Sequence, residues 1–380
     1  LSSLARETLL DQWDLPFCLS PGPDTPARTR EKYPDVEVVF QTTPLARARP
    51  TVKEIKHRPL PQRVLGPGDG RKIVDLARSA MATRSRDLDA FAYGSRHDVA
   101  MLDCGEGLAI ACIGVVPERR LFLETMYGYL VLRNGVPVGY GTVTALFNSA
   151  EIAFTVFDTF RSGEASKILG WVVTLAWRLF GADTITVTPY QIGQDNEDAV
   201  RSGAWWFYYK LGFRPREEEP VRLMERELRR MKSNAAHRSS PATLRRLAES
   251  NVFLHLGKPR DDVLGVLPLP NVGRHVSRFL ADGFGADREK ATRVCSREAR
   301  QLLGVRPSDR LSPAERQAWD RWAPLVVSLP RLSRWSSDHK RGLAALIRAK
   351  GGRRELAFLR QFNAHRPLKS ALLQLTRRSR

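Results

Sequence analysis

The chain has 380 residues, 42% of them apolar, and a net charge of +20. That length allows two or three domains, and that apolar content allows packed cores, which excludes a chain disordered throughout. No run of about 18 apolar residues argues for a membrane-spanning helix, the first ten residues lack the basic start of a secretory signal, and Cys18, Cys104, Cys112 and Cys295 lie scattered without a CxxC pair, which argues against a zinc site or disulfide framework and suits a reducing, cytoplasmic setting.

Residues 1–66 are rich in proline (Pro16, Pro21, Pro23 and Pro26 among them) and read as an extended arm lying on a domain. Asp35 to Phe40 is a candidate short strand within it. Gly66 to Gly70 reads as a flexible joint rather than a phosphate loop, because no Lys-Ser/Thr follows at the required place. Arg71 to Met81 places Ile73, Val74, Ala77 and Met81 on one side of a helix. Asp98 to Asp103 and Leu108 to Val116 read as strands. His97 and Asp98 would face opposite ways on a strand, so they are discounted as an acid–base pair.

The next stretch is the most informative. Tyr127 to Arg133 and Val136 to Phe147 read as strands joined by Asn134-Gly135, a two-residue hairpin turn whose residues both need positive φ. Gly139 and Gly141 suggest a bulge. Glu151 to Asp158 reads as a third strand. Thr159 to Ser166 is a small-residue loop that runs into a helix from Lys167 to Phe180, with Gly181 as its stop. The start of such a helix can face an anion with its free N–H groups and its dipole. Thr184 to Thr188 is a short strand, and Ser202 to Phe213 a short aromatic helix ending in Leu211-Gly212-Phe213.

Here the sequence resembles the GNAT superfamily of N-acyltransferases, in which a helix ending Phe-Tyr-x-Lys-Leu-Gly-Phe follows the fifth strand. Phe207 to Phe213 matches that ending, and the order of elements before it agrees. The resemblance covers roughly residues 70–230. It implies acetyl-CoA or another acyl-CoA as co-substrate, a small-molecule or protein amine as acceptor, and direct attack of that amine on the thioester. It places Tyr208 where the family's tyrosine protonates the departing thiolate, with Tyr209 as a natural control. It also implies a pyrophosphate cradle over Phe157, Asp158, Thr159, Phe160, Arg161, Ser162, Gly163, Ala165 and Ser166. The family's loop pattern is Gln/Arg-x-x-Gly-x-Gly/Ala. Anchored on Gly163 and Ala165, it puts Phe160 first; anchored on Arg161, it puts Glu164 where glycine is expected. Arg201 stands where many members have asparagine. The segment Tyr190 to Arg201 is longer than the usual connection and lies beside the acceptor side, with Asn196 a candidate helix cap.

An acceptor ammonium needs a base. Glu151 is the first candidate, with Asp158 and Glu124 as alternatives. No metal is expected.

After a charged turn at Arg214 to Pro220, Ser233 to Pro241 reads as a linker. Helices are then expected over Val272–Leu280, Arg288–Leu303, Pro313–Trp322, Arg341–Ala349 and Arg353–Phe362, with Ser312-Pro313 as a helix start and Trp319, Trp322 and Trp335 in the core. Residues 1–220 hold 26 Lys+Arg and 27 Asp+Glu, while residues 221–380 hold 35 and 14. The excess positive charge is therefore C-terminal, and fits either a nucleic acid or other acidic partner or a solvated arginine-rich surface. The expected organisation is an α+β fold: a proline-rich arm (1–66), a GNAT-like mixed, mainly antiparallel sheet flanked by helices (67–232), and a basic, mostly helical region (233–380). If catalysis has been lost, the chain would be a binding or scaffold protein acting through that basic region.

Overall fold

A computed structural model of the chain describes residues 31–34, 36–42, 49–84, 86, 89–157, 160, 164–306 and 309–377. Asp35 and Cys18 therefore lie outside the described residues. Residues 36–42 form no strand, but Asn134 holds them at the hairpin turn, bonding both the N–H and the carbonyl of Val39 at 3.1 Å.

The last part of the expected arm is ordered. α1 (Val52–His57) opens on a capping box between Thr51 and Glu54, and β1 (Gln62–Val64) joins the sheet as an edge strand. Gly66 to Gly70 is not a joint. Gly66 is the N-cap of α2 (Pro67–Ala82), with Pro67 in its first turn. Gly70 lies where α2 crosses the next strand: a Cβ there would sit 2.2 Å from the Arg96 carbonyl oxygen. The glycine serves close packing, not flexibility.

α3 (Asp89–Ala92) leads into β2 (Gly94–Asp103), β3 (Leu108–Val115), β4 (Thr125–Arg133) and β5 (Val136–Leu146). Asn134 and Gly135 turn β4 into β5 at φ of 49° and 78°. The register slips beside Gly139, where Val131 opposes Gly139 and Leu132 opposes Pro137. Val138 is the extra residue, so the bulge falls where the glycines suggested it. β6 (Ser149–Val156) follows, then α4 (Ala165–Phe180) and β7 (Thr184–Val187).

After α5 (Pro189–Ile192), α6 (Glu197–Ser202) and α7 (Ala204–Lys210) come β8 (Arg214–Pro215), α8 (Glu218–Ser233), α9 (Pro241–Leu247) and β9 (Val252–His255). The sheet order is β1-β2-β3-β4-β5-β6-β7-β9-β8, and β6–β7 is its single parallel pair. β9 inserts between β7 and β8. The sheet therefore reaches past the boundary expected at residue 233, and Leu244, Leu247, Val252 and Leu254 belong to its core.

α10 (Pro270–Phe284), α11 (Arg288–Leu303), α12 (Pro313–Ser328), α13 (Ser337–Lys350), α14 (Glu355–Ala364) and α15 (Arg366–Arg377) complete the chain. The described residues thus form an α+β fold with a nine-stranded, mostly antiparallel open sheet and fifteen α-helices, the last six making a helical C-terminal region. One sheet face buries α4, together with Leu356 and Leu359 of α14. The other buries α2 and Phe91 of α3. A separate core holds the C-terminal helices, with Trp319 and Trp322 each 1% exposed, so neither ring offers a stacking surface. No described helix is long and apolar enough to cross a membrane.

Candidate functional site

β6 and β7 pair only over Ser149–Glu151 against Thr184–Thr186. Beyond that β7 stays with β9, whereas β6 keeps β5 along one edge as far as Val156. From Ile152 onward the other edge of β6 has no strand beside it among the described residues. Backbone groups on such an edge still need partners. One is supplied from outside the sheet: the Gln191 side-chain oxygen accepts the Phe154 N–H at 3.1 Å.

A cavity of about 610 Å³ occupies this divergence, a volume typical of small-molecule sites. β5 contributes Tyr140, Gly141 and Thr142 to its lining, and β6 contributes Ala153 to Val156. Ala165, at the start of α4, Arg86 and Tyr208 face it as well. The segment beyond β7 closes one side with Tyr190, Gln191, Asn196, Asp198 and Ser202. Asn196 caps α6 by accepting the Ala199 N–H at 3.1 Å, and it holds α5 by donating to the Tyr190 carbonyl at 3.0 Å. The long connection noted in the sequence is therefore a wall of the cavity.

Tyr208 is only 2% exposed, yet it lines this cavity. Phe207 and Phe213 pack edge-on against its ring, each at 5.4 Å between centroids. The helix beneath it is pinned by the Trp205 indole, which donates to the Leu247 carbonyl at 2.9 Å. Among the described residues nothing hydrogen-bonds the Tyr208 hydroxyl. Burial pushes its phenol well above the ordinary value of 10, so the group keeps its proton throughout neutral pH. Tyr209 faces elsewhere, stacked on Trp205 with the Arg214 guanidinium 3.8 Å from its ring centre.

The other sequence candidates separate. Asp158, Thr159, Arg161, Ser162 and Gly163 lie outside the described residues. Phe157 is buried, stacked on Tyr140 at 5.6 Å, with the Arg84 guanidinium over its ring; its role there is apolar packing. Phe160 and Glu164 line a second cavity of about 550 Å³, with Arg133 and Phe40. The Glu164 carboxylate is paired with Arg133 at 2.6 Å and Lys167 at 3.6 Å. Its charge is thus compensated away from the Tyr208 cavity. Ser166 is half-buried in the first turn of α4. Of the described cradle candidates, Ala165 shares the cavity with Tyr208.

Glu151 does not line the cavity. It sits deeper, where β6 still pairs with β7, and alternation turns it away from Ala150 and Ile152. Burial, with the nearby Glu124 carboxylate, raises its pKa. Glu151 and Tyr208 are therefore not brought together. Asp198 is the carboxylate on the cavity wall, and it is engaged with Arg201. Gln191, which no sequence motif singles out, is a polar side chain in direct contact with the open β6 edge. No metal-binding group of His, Cys, Asp and Glu occurs among the described residues.

Comparison with family models, with curated proteins and with solved structures gives no match for this chain.

Proposed function

We propose that the chain is an acyl-CoA-dependent N-acyltransferase of GNAT type, acting on an amine in the cavity between β6 and β7. The observation that carries this reading is the position of Tyr208, a proton-bearing phenol facing the cleft where β6 loses its strand partner. The order of elements supports it too: hairpin, β6, α4, β7, then the aromatic helix α7 followed by Leu211-Gly212-Phe213. An acyl-CoA supplies an activated acyl group as a thioester.

The protein's part divides by place. The β6 edge around Phe154 that β7 leaves binds amide groups of the pantetheine arm. The first turn of α4 offers free N–H groups to phosphates. The walls from Tyr190 to Ser202 hold the acceptor. As the amine attacks, a C–N bond forms and the C–S bond breaks, and the amine's proton leaves to solvent or base. Tyr208 donates a hydrogen bond to sulfur as negative charge grows there. Its raised pKa makes it a poorer acid than a free phenol, so stabilising the developing thiolate is the larger part of its role.

The test is an amine-acetylation assay on Tyr208→Phe. The reading predicts about 10²-fold slower transfer, with acetyl-CoA affinity nearly unchanged and Tyr209→Phe close to wild type. Equal rates for Tyr208→Phe and wild type would remove Tyr208 from the chemistry.

A further inference from the structure

The Phe154 N–H lies on the edge of β6 that β7 has left, and Gln191 takes it with a side-chain amide oxygen at 3.1 Å. We propose that Gln191 is a displaceable plug. In the free protein it occupies the hydrogen-bonding position that a ligand's amide carbonyl takes when an extended, amide-bearing chain enters the cleft. The proposal rests on the acyl-CoA reading for the identity of that chain.

Two features confine the movement to one side chain. The backbone carrying Gln191 is fixed: Ile192 is fully buried, Asn196 bonds the Tyr190 carbonyl at 3.0 Å, and the N–H groups of Gly193 and Gln194 both bond the Pro189 carbonyl. The strand is fixed as well, with the Phe154 ring parallel to that of Phe207 at 6.5 Å and β5 paired along its far edge. Neither α5 nor β6 needs to shift; Gln191 changes rotamer and the edge is free. A glutamine side chain and a pantetheine amide carry the same acceptor, so one replaces the other without orphaning the N–H. The fraction of molecules with the plug in place lowers the apparent affinity by that fraction.

Calorimetric titration with acetyl-CoA tests this on the wild type, Gln191→Ala and Gln191→Asn, the last too short to reach Phe154. Both variants should bind about five- to tenfold tighter. Adenosine 3′,5′-bisphosphate, which has phosphates but no amide arm, should bind all three alike. Acetyl-CoA affinity unchanged or weakened in the variants, with the wild type binding, overturns the plug and leaves the acyl-CoA reading standing. Amide exchange at Phe154 in the free proteins gives a readout independent of ligand. It should be faster in both variants, and equal rates would overturn the plug. If exchange rises as expected but none of the three proteins binds acetyl-CoA, the acyl-CoA reading fails, and with it the displacing group assigned here.

Discussion

Glu355 donates its backbone N–H to the Asp98 carboxylate at 2.9 Å, joining residues 257 apart in the chain. The same carboxylate oxygen accepts the Tyr127 hydroxyl at 2.6 Å, and that hydroxyl accepts the Leu356 N–H at 3.1 Å. Two side chains of the sheet thus cap the first turn of α14. Around them Arg120 donates to the carbonyls of Lys350 and Gly352, and Lys350 pairs with Glu355. Asp98, Arg120, Lys350 and Glu355 are all less than 5% exposed. Two positive and two negative groups compensate one another there, as buried charges must.

Asp98→Ala should therefore cost about 3 kcal/mol, because it orphans the Tyr127 hydroxyl and the Glu355 N–H in a buried setting. Asp98→Asn, which keeps an acceptor, should cost less. Urea denaturation measures both. Burial lifts the Asp98 carboxyl above its ordinary 3.8. A carboxyl raised in the folded state binds protons more readily there than in the unfolded chain, so its contribution to stability falls as pH rises through the raised value. Asp98→Asn should remove that dependence; an unchanged slope of stability with pH in the same range would contradict it.

How far the sequence reveals this fold depends on how local each signal is. Ala291, Cys295 and Ala299 recur every four residues on the buried side of α11, and its limits follow from the sequence. The Ser312 cap, with Pro313 and Glu315 behind it, marks the start of α12 by backbone chemistry alone. Asn134-Gly135 marks the hairpin for the same reason. β9 is different. Its four residues become a strand because Val252 to His255 fit between β7 and β8, a contact no local pattern announces. Gly70 misleads in a similar way, since the carbonyl it makes room for lies 26 residues on. The aromatic helix that carries Tyr208 could be read from its residues, and so could the long Tyr190–Arg201 connection. Gln191 could not, because its importance comes from the place where β7 leaves β6.

The close approach at Gly70 makes a paired prediction. Gly70→Ala forces a methyl to within 2.2 Å of the Arg96 carbonyl oxygen and should destabilise the protein by about 2–3 kcal/mol. Gly68, in the same helix, has nothing within 4 Å of its would-be Cβ. Gly68→Ala should leave stability unchanged or raise it by up to about 1 kcal/mol. The thermal unfolding temperature should fall for Gly70→Ala and hold or rise for Gly68→Ala, and equal losses would contradict the packing argument.

Glu227 clamps the loop after α8 to the aromatic helix. Its carboxylate accepts from Ser239 at 2.7 Å, from His237 at 2.9 Å and from Arg230 at 2.9 Å, and the Ser239 hydroxyl in turn accepts the Trp206 indole N–H at 3.1 Å. Burial works to raise this carboxyl, but the hydrogen bonds outweigh it and hold the group below its ordinary 4.5. A lowered carboxyl contributes stability that is present above 4.5 and lost as pH falls through the folded value. Acidification below 4.5 should loosen the clamp and shift Trp206 emission. Glu227→Gln should show the loosened emission already at neutral pH; an emission unchanged by the substitution would place the clamp elsewhere.

Tyr208 makes a prediction in alkali. Burial raises its phenol above 10, so the protonated form persists past the pH at which a free tyrosine ionises. The proposed acyl transfer should show no loss attributable to Tyr208 up to pH 10. A fall in rate near pH 9 that disappears in Tyr208→Phe would show the phenol ionising early and contradict its buried setting.

The most direct test of the proposed activity is calorimetric titration of the purified chain with acetyl-CoA. Saturable binding of one molecule per chain with Kd well below about 1 mM is the result expected of a cleft that opens between β6 and β7 beside Tyr208. No heat of binding at near-millimolar acetyl-CoA would contradict the acyltransferase reading.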